Sequence, residues 1–253
     1  LDIFYIYKKL NPLKVTDYIV DIINRFPKGY VFTYEDFSVE VNKKEAVIKA
    51  LNRMAASGRI TKLSKGKYYK PEKTVFGELV PEQYQIVKDI LEDDGKIIGY
   101  LTGLSIYNKL GLTTQVSNTI QIGKNEIRPT FSRGRYTIAF IKQKNTITKE
   151  NIPLLQLLDA IRYIKKIPDT TMVSACRRLF AIIKDLPKED LYTMVRLSKK
   201  YPPSTRALLG AILDELGQVE ITEILQKTLN SITSYKFPGI NTVLSNTENW
   251  NIK

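Results

Sequence analysis

The chain has 253 residues, 43% hydrophobic and 26% charged, so it is able to bury real cores, and wholesale disorder is excluded. It carries a formal net charge of +13, no histidine and one cysteine. The lack of histidine removes the commonest general base, most zinc sites and the usual nucleophile pairs. A single cysteine excludes an intrachain disulfide and is typical of a reducing cytosol. We therefore expect a cytoplasmic, non-enzymatic protein with no cofactor, metal site or membrane contact.

The N-terminal segment begins with a helix and a short extended stretch. Apolar residues at helical spacing predict a helix over residues 15–26, which Pro27 ends. Residues 30–32 are then extended. Thr33 and Asp36 match a capping box. In this motif the Thr33 hydroxyl accepts a hydrogen bond from a backbone amide of the first turn, and the Asp36 carboxylate reaches back to the start of the helix. A short helix follows.

The strongest helix of this half is predicted over residues 43–57, with a β-hairpin after it. Asn42 is expected to cap the helix. Two β-prone runs, residues 59–63 and 67–70, are joined through Gly66, which supplies the positive φ of a tight turn. Helix, strand, helix, helix and hairpin is the element order of a winged helix-turn-helix, whose third helix enters the major groove.

Basic charge is concentrated on this module. Residues 43–73 contain ten Lys or Arg and two acids, a local excess of +8, and we expect the basic excess to be confined largely to this module. Charge this dense, on an element shaped to enter a groove, is typical of nucleic-acid binding. The predicted DNA-binding residues are Lys43, Lys44, Lys49, Asn52, Arg53, Lys62, Lys65 and Lys67.

These residues have different expected roles. Arg53 and Lys49 are suited to guanine, and Asn52 to adenine. Lys43 and Lys44 lie where the helix N-terminus approaches phosphates, and the hairpin lysines are expected to neutralise phosphates. The alternative is a winged helix that docks on another protein, with its lysines simply solvated.

The remainder of the chain is predicted to be mixed α/β and then helical. Turn-forming residues between 73 and 81 place the boundary of a DNA-binding domain, residues 1–75, before a larger domain, residues 76–253. Thr102 is expected to cap a helix that ends at Leu110, and residues 238–253 are expected to trail over the surface. Strands are predicted at 97–101, 119–122 and 136–141, and helices at 82–92, 153–164, 171–184, 188–200, 204–216 and 219–229.

We find no catalytic constellation in the sequence. Gly95-Lys96 and Gly123-Lys124 lack the upstream glycine spacing of a phosphate-binding loop. Cys176 is interpreted as a small buried hydrophobe. The basic pairs Arg177-Arg178 and Lys199-Lys200 are interpreted as solvated helix faces, with contact to nucleic acid or to an acidic partner as the alternative.

Two segments and the helical tail resemble the AbiEi type of antitoxin from bacterial abortive-infection toxin–antitoxin systems. The segments are SKGKYYKPEKTVFGELVP, residues 64–81, and YLTGLSIYNKLGLTTQV, residues 100–116, and the likeness runs over about residues 15–220. It implies an N-terminal winged helix that represses its own operon and a larger domain that counteracts a nucleotidyltransferase-like toxin. It also implies a DNA-contacting face at Lys43 to Arg53 and Lys62 to Lys67, but it transfers no antitoxin residue.

We therefore expect an α+β protein in which a winged helix binds operator DNA and a mixed α/β, then helical, domain opposes a toxin from the same operon. The alternative from another class is a nucleic-acid-processing enzyme, or its subunit, that uses the winged helix as a substrate clamp. Metal-dependent cleavage or modification of nucleic acid by this protein alone would indicate the alternative.

Overall fold

A computed structural model describes residues 12–37 and 43–253, and it confirms the mixed α+β class. The chain divides into two compact units between Lys88 and Asp89. Nowhere in the described ranges is a helix long and apolar enough to cross a lipid bilayer. Each unit has its own cluster of buried apolar side chains.

The first unit has its elements in the predicted order. They are helix α1 (Pro12–Arg25), strand β1 (Val31–Phe32), a 3-10 turn (Tyr34–Asp36), helix α2 (Lys44–Ala56), and strands β2 (Thr61–Ser64) and β3 (Lys67–Tyr69). The strands form an antiparallel sheet in the order β1-β3-β2. The capping box is confirmed, since the Thr33 amide donates to Asp36 Oδ2 at 2.7 Å. The expected cap at Asn42 lies outside the described residues.

The core of the first unit lies between its helices and its small sheet. Apolar residues at helical spacing place one face of α1 and one face of α2 on the sheet. The core side chains with almost no exposed surface include Ile19, Ile23, Phe32, Phe37, Val47, Leu51, Ile60 and Tyr68.

A second hairpin occupies the stretch between residues 73 and 81 in which the domain boundary is predicted. Strands β4 (Glu72–Thr74) and β5 (Gly77–Leu79) pair antiparallel, with their turn at the expected boundary between residues 75 and 76. Two side-chain contacts hold the hairpin within the first unit. The Tyr69 hydroxyl donates to Glu78 Oε1 at 2.5 Å, and the Lys28 ammonium lies 3.5 Å from Glu72 Oε1.

The division between the units falls within helix α3 (Gln83–Leu91). The second unit consists of a sheet followed in sequence by a series of helices. The strands are β6 (Glu92–Asp93), β7 (Lys96–Ile97), β8 (Gly99–Thr102), β9 (Thr119–Lys124), β10 (Phe131–Arg133) and β11 (Tyr136–Lys142), and helix α4 (Leu104–Lys109) follows β8. Strands β10-β11-β9-β8 form one sheet, in which only the β9–β11 pair is parallel.

The predicted helices of the second unit are confirmed. They are α5 (Ile152–Arg162), α6 (Met172–Lys184), α7 (Lys188–Ser198), α8 (Pro203–Glu215) and α9 (Val219–Gln226). Cys176 is fully buried on α6, as expected. Burial raises the pKa of its thiol to about 12, so the sulfur is not a ready nucleophile.

The C-terminal segment does not trail over the surface, so that expectation is wrong. Residues 238–253 form two 3-10 turns that bury Leu244, Trp250 and Ile252 in the core of the second unit. The Trp250 indole also donates to Asp214 Oδ2 at 3.1 Å. The apolar residues of this segment are irregularly spaced among Asn and Thr, and they therefore show no helical or strand period.

A buried carboxylate, Asp159 on α5, organises the centre of the second unit. It accepts hydrogen bonds from the hydroxyls of Tyr100 at 2.8 Å, Thr102 at 2.9 Å and Tyr201 at 2.9 Å. Burial raises the pKa of Asp159 to about 6, because removal from water disfavours the charged form more than these bonds favour it. Thr102 was expected to cap helix α4. Its hydroxyl instead binds Asp159, and Gly103 occupies the cap position.

Candidate nucleic-acid interface

Helix α2 presents a polar face because its apolar residues recur at helical spacing. That spacing buries one side of the helix and leaves Lys49, Asn52 and Arg53 exposed on the other. The side chains of Lys49 and Arg53 make no hydrogen bond or ion pair with any other described residue. Their charges are therefore open to a ligand. The buried side consists of Val47, Ala50, Leu51 and Met54.

Asn52, predicted to read adenine, is already engaged within the protein. Its Oδ1 accepts a hydrogen bond from the Tyr68 hydroxyl at 2.8 Å. Recognition of adenine by asparagine uses the amide oxygen and nitrogen together. The bond to Tyr68 occupies the oxygen and fixes the orientation of the amide, so Asn52 joins helix α2 to strand β3 in the free protein.

The N-terminus of α2 is held against the preceding 3-10 turn. The Lys44 ammonium lies 4.2 Å from the centre of the Tyr34 ring, a cation–π contact. Hydrogen bonding to Tyr34 raises the pKa of Lys44 above its ordinary value, so this lysine stays charged at neutral pH. Lys43, directly before the helix, is half-buried. The two lysines lie at the end of the helix where backbone amides favour an anion.

The β2–β3 hairpin carries the other predicted cations. Lys62 and Lys65 are exposed, and Lys67 is half-buried at the start of β3. Gly66 has φ of +74°, which confirms the predicted turn. Lys62 lies opposite Tyr68 in the β2–β3 ladder. Because Tyr68 bonds to Asn52, the hairpin is fastened beside helix α2, and the two predicted contact regions form one structural element.

One of the cations in residues 43–73 has a structural role that the sequence did not predict. The Lys70 ammonium donates to the carbonyl oxygens of Asn24 at 2.7 Å and Phe26 at 2.9 Å, at the C-terminal end of α1. A cation satisfies carbonyl groups that a helix end leaves without partners. Outside residues 43–73, Lys28 is paired with Glu72. The sequence signal was present, since a C-terminal helix end needs such a donor, but the partner is 44 to 46 residues away.

The expectation that the basic excess is confined largely to the first unit is wrong. Residues 1–88 contain 16 Lys and Arg against 10 Asp and Glu, a net charge of +6. Residues 89–253 contain 23 against 16, a net charge of +7. In the described part of the chain, no group of three His, Cys, Asp or Glu side chains is arranged to hold a metal ion.

Comparison with known proteins places the chain in a family. A family model described as a family of unknown function, DUF6088, matches residues 18–191. The crystal structure of the RV2827C protein from Mycobacterium tuberculosis has a TM-score of 0.57 at 15% identity, covering 92% of this chain and 88% of that one. At that identity, the likeness shows a shared fold alone. No curated protein matches the chain. Because the family model matches more than half of the residues of the chain, the chain belongs to the DUF6088 family.

Proposed function

We propose that the first unit is a winged helix-turn-helix that binds double-stranded DNA upstream of its own gene, so that the protein regulates its own transcription. One observation carries the proposal. Helix α2 exposes Lys49 and Arg53, and the Tyr68–Asn52 bond fastens it to a hairpin that exposes Lys62. A helix in the major groove and an adjoining hairpin on the DNA backbone is the docking geometry of this class of protein.

The proposal gives each part of this surface a role. Arg53 reads a base edge, because its guanidinium is exposed and suited to a bidentate bond with guanine. Lys62 and Lys65 neutralise phosphates from the hairpin, and Lys44 does so from the helix N-terminus. Asn52 positions the helix through Tyr68 rather than reading adenine by itself.

The second part of the proposal is that the protein opposes a nucleotidyltransferase-like toxin from the same operon. This part rests on the resemblance of residues 64–81 and 100–116 to AbiEi-type antitoxins. Tyr100 and Thr102 of the second segment bind Asp159 in the core, so the shared residues serve the fold and do not identify a toxin-binding residue. Co-expression with the neighbouring gene product tests it, because the protein should restore growth under toxin induction.

The DNA-binding part is tested by titrating labelled upstream DNA and a scrambled duplex with the full chain. The double variant Lys49→Gln with Arg53→Gln should lose at least tenfold in affinity for the upstream DNA, about 1.4 kcal/mol. It should also lose most of its preference over the scrambled duplex. Arg25→Gln with Lys73→Gln removes the same charge from exposed positions of the first unit and should change affinity less than threefold. Equal losses in the two double variants would contradict the proposed interface.

A further inference from the structure

We propose that the second unit has its own surface for the DNA backbone, made of Lys142, Lys144, Lys199 and Lys200, which we call the second cationic surface. It neutralises phosphates of the same duplex that the first unit reads, and in that sense the inference rests on the proposed function. The charge pattern, the contacts and the surroundings of these four lysines support it.

The charge pattern consists of two stretches that contain no acid. Residues 127–149 include six Lys or Arg and no Asp or Glu, and residues 191–213 include four and none. Together these stretches hold ten of the 23 cations in the second unit, and nine of them remain after Arg133, which is buried and paired with Asp89, is set aside. Stretches of this kind raise the local potential well above that of a surface with mixed charges.

Specific contacts bring the two stretches together. The Lys200 ammonium donates to the carbonyl oxygen of Lys144 at 3.1 Å. The Asn145 side-chain amide donates to the carbonyl oxygen of Leu197 at 3.0 Å. The segment after β11 therefore lies against the C-terminal end of α7, and this contact brings together two pairs of lysines that are more than 50 residues apart in sequence.

The buried network determines which side chains of this segment face solvent. Residues 141–147 alternate between buried and exposed, so Gln143 and Asn145 point inward while Lys142 and Lys144 point outward. The Gln143 amide nitrogen donates to the hydroxyls of Tyr100 at 2.8 Å and Tyr201 at 2.9 Å, and both tyrosines bind Asp159. The lysines are thus held outward by a rigid, hydrogen-bonded support.

The surroundings favour duplex DNA over other partners. All four lysines are exposed, and none pairs with a carboxylate of any residue that the structure describes. Residues 141–149 and 195–206 expose no large hydrophobic side chain. A protein interface needs an apolar centre, and single-stranded nucleic acid is held by stacked aromatic rings. A purely cationic surface fits the regularly spaced phosphates of a duplex.

The test measures how the affinity of the full chain for upstream DNA depends on salt. In one variant, Lys142, Lys144, Lys199 and Lys200 are all changed to Gln. The matched control changes four other exposed lysines of the second unit to Gln, namely Lys96, Lys109, Lys184 and Lys236. Circular dichroism and thermal melting establish that both variants fold.

If two to four of these lysines neutralise phosphates, the slope of log K against log salt should become shallower by about 2 to 4 in the surface variant. The preference for upstream over scrambled DNA should not change, because phosphate contacts carry no sequence information. The control should keep the wild-type slope within about 0.5. Equal slopes for the surface variant and the control would overturn the inference. This holds even if the surface variant loses binding to another protein, because the surface would then bind that protein and not DNA.

The Lys49→Gln, Arg53→Gln variant separates this inference from the proposed function. If it loses affinity and sequence preference while the surface variant binds like the control, the first unit binds DNA alone and the inference is wrong. If only the surface variant loses affinity, the second cationic surface is supported and the proposed role of helix α2 is wrong. A wild-type chain that does not bind duplex DNA would overturn both.

Discussion

The hydroxyl of Tyr68 on strand β3 donates to Oδ1 of Asn52 on helix α2 at 2.8 Å, and this bond joins the two parts of the proposed DNA interface. Burial raises the pKa of Tyr68 above its ordinary value, so the hydroxyl remains protonated and available as a donor at neutral pH. The bond links residues 16 apart in sequence, and it adds a directional contact to the core packing that already places the hairpin beside the helix.

Tyr68→Phe should weaken DNA binding as well as the fold, because it removes this bond and keeps the ring. The free energy of unfolding should fall by about 0.5–1.5 kcal/mol, the net value of one hydrogen bond. Tyr69→Phe is the matched control, since its hydroxyl binds Glu78 on the second hairpin instead. Denaturant unfolding and DNA titration check both. If the two variants lost DNA affinity equally, the Tyr68–Asn52 bond would have no specific role.

Arg53→Ala should relax sequence preference, whereas Lys65→Ala should weaken binding to all sequences about equally. Arg53 is exposed on the outward face of α2, and Lys65 lies at the turn of the β2–β3 hairpin. Loss of a bidentate base contact should cost about 1–3 kcal/mol on the correct site only. Titration of upstream and scrambled duplexes measures both effects. An unchanged specificity ratio for Arg53→Ala would mean that this helix face does not read bases.

Asp159 should make the second unit more stable as the pH falls from about 6 to about 4. Its folded pKa is about 6, above the ordinary value, so in this range the folded state binds more protons than the unfolded state. The contribution is fully present below the unfolded pKa and is lost as the pH rises through about 6, a change of about 2–3 kcal/mol.

Asp159→Asn isolates this effect from the other carboxylates, because it has no charge to titrate at this position. The wild-type free energy of unfolding, measured at several pH values, should rise relative to that of the variant as the pH is lowered from about 7 to about 4. A difference between the two proteins that is independent of pH would show that Asp159 does not titrate in this range.

Gly123→Ala should destabilise the second unit. The expected loss comes from a steric clash and not from the strand propensity of alanine. A Cβ at residue 123 would collide with the ring of Tyr100, its partner across the β8–β9 ladder. Overpacking of this kind costs about 1–3 kcal/mol, and displacement of Tyr100 also disturbs its bond to Asp159.

A double-mutant cycle with Tyr100→Leu tests the cause of that loss. If the ring contact is responsible, the combined variant should be less destabilised than the sum of the two single variants. Additive losses, measured by denaturant unfolding, would place the origin of the Gly123→Ala effect elsewhere.

Local signals predicted those parts of the fold that depend on local chemistry. Helix α2, the turn at Gly66 and the helices bounded by prolines follow from spacing, glycine conformation and capping, which act within a few residues. The β4–β5 hairpin was missed because Val75 and Phe76 form its turn, and neither residue is a turn former.

The remaining features depend on contacts between residues that are distant in sequence. Asp159 bonds to Tyr100 and Tyr201, which are 59 and 42 residues away. Lys70 binds the end of α1, and Asn52 binds Tyr68, so two polar residues of the basic module have structural roles. A count of charges along the chain cannot distinguish such residues from cations that are open to a ligand. The sequence therefore predicted the candidate DNA-binding residues as a group, but it did not predict the role of each residue.

The salt dependence of binding to upstream DNA by the wild-type protein tests the central claim most directly. If about four to six cations of the first unit neutralise phosphates, log K should fall with log salt at a slope of about −4 to −5, and more steeply if the second cationic surface also contributes. A scrambled duplex should bind more weakly at every salt concentration. A slope near zero, or equal affinity for the two duplexes, would contradict the account.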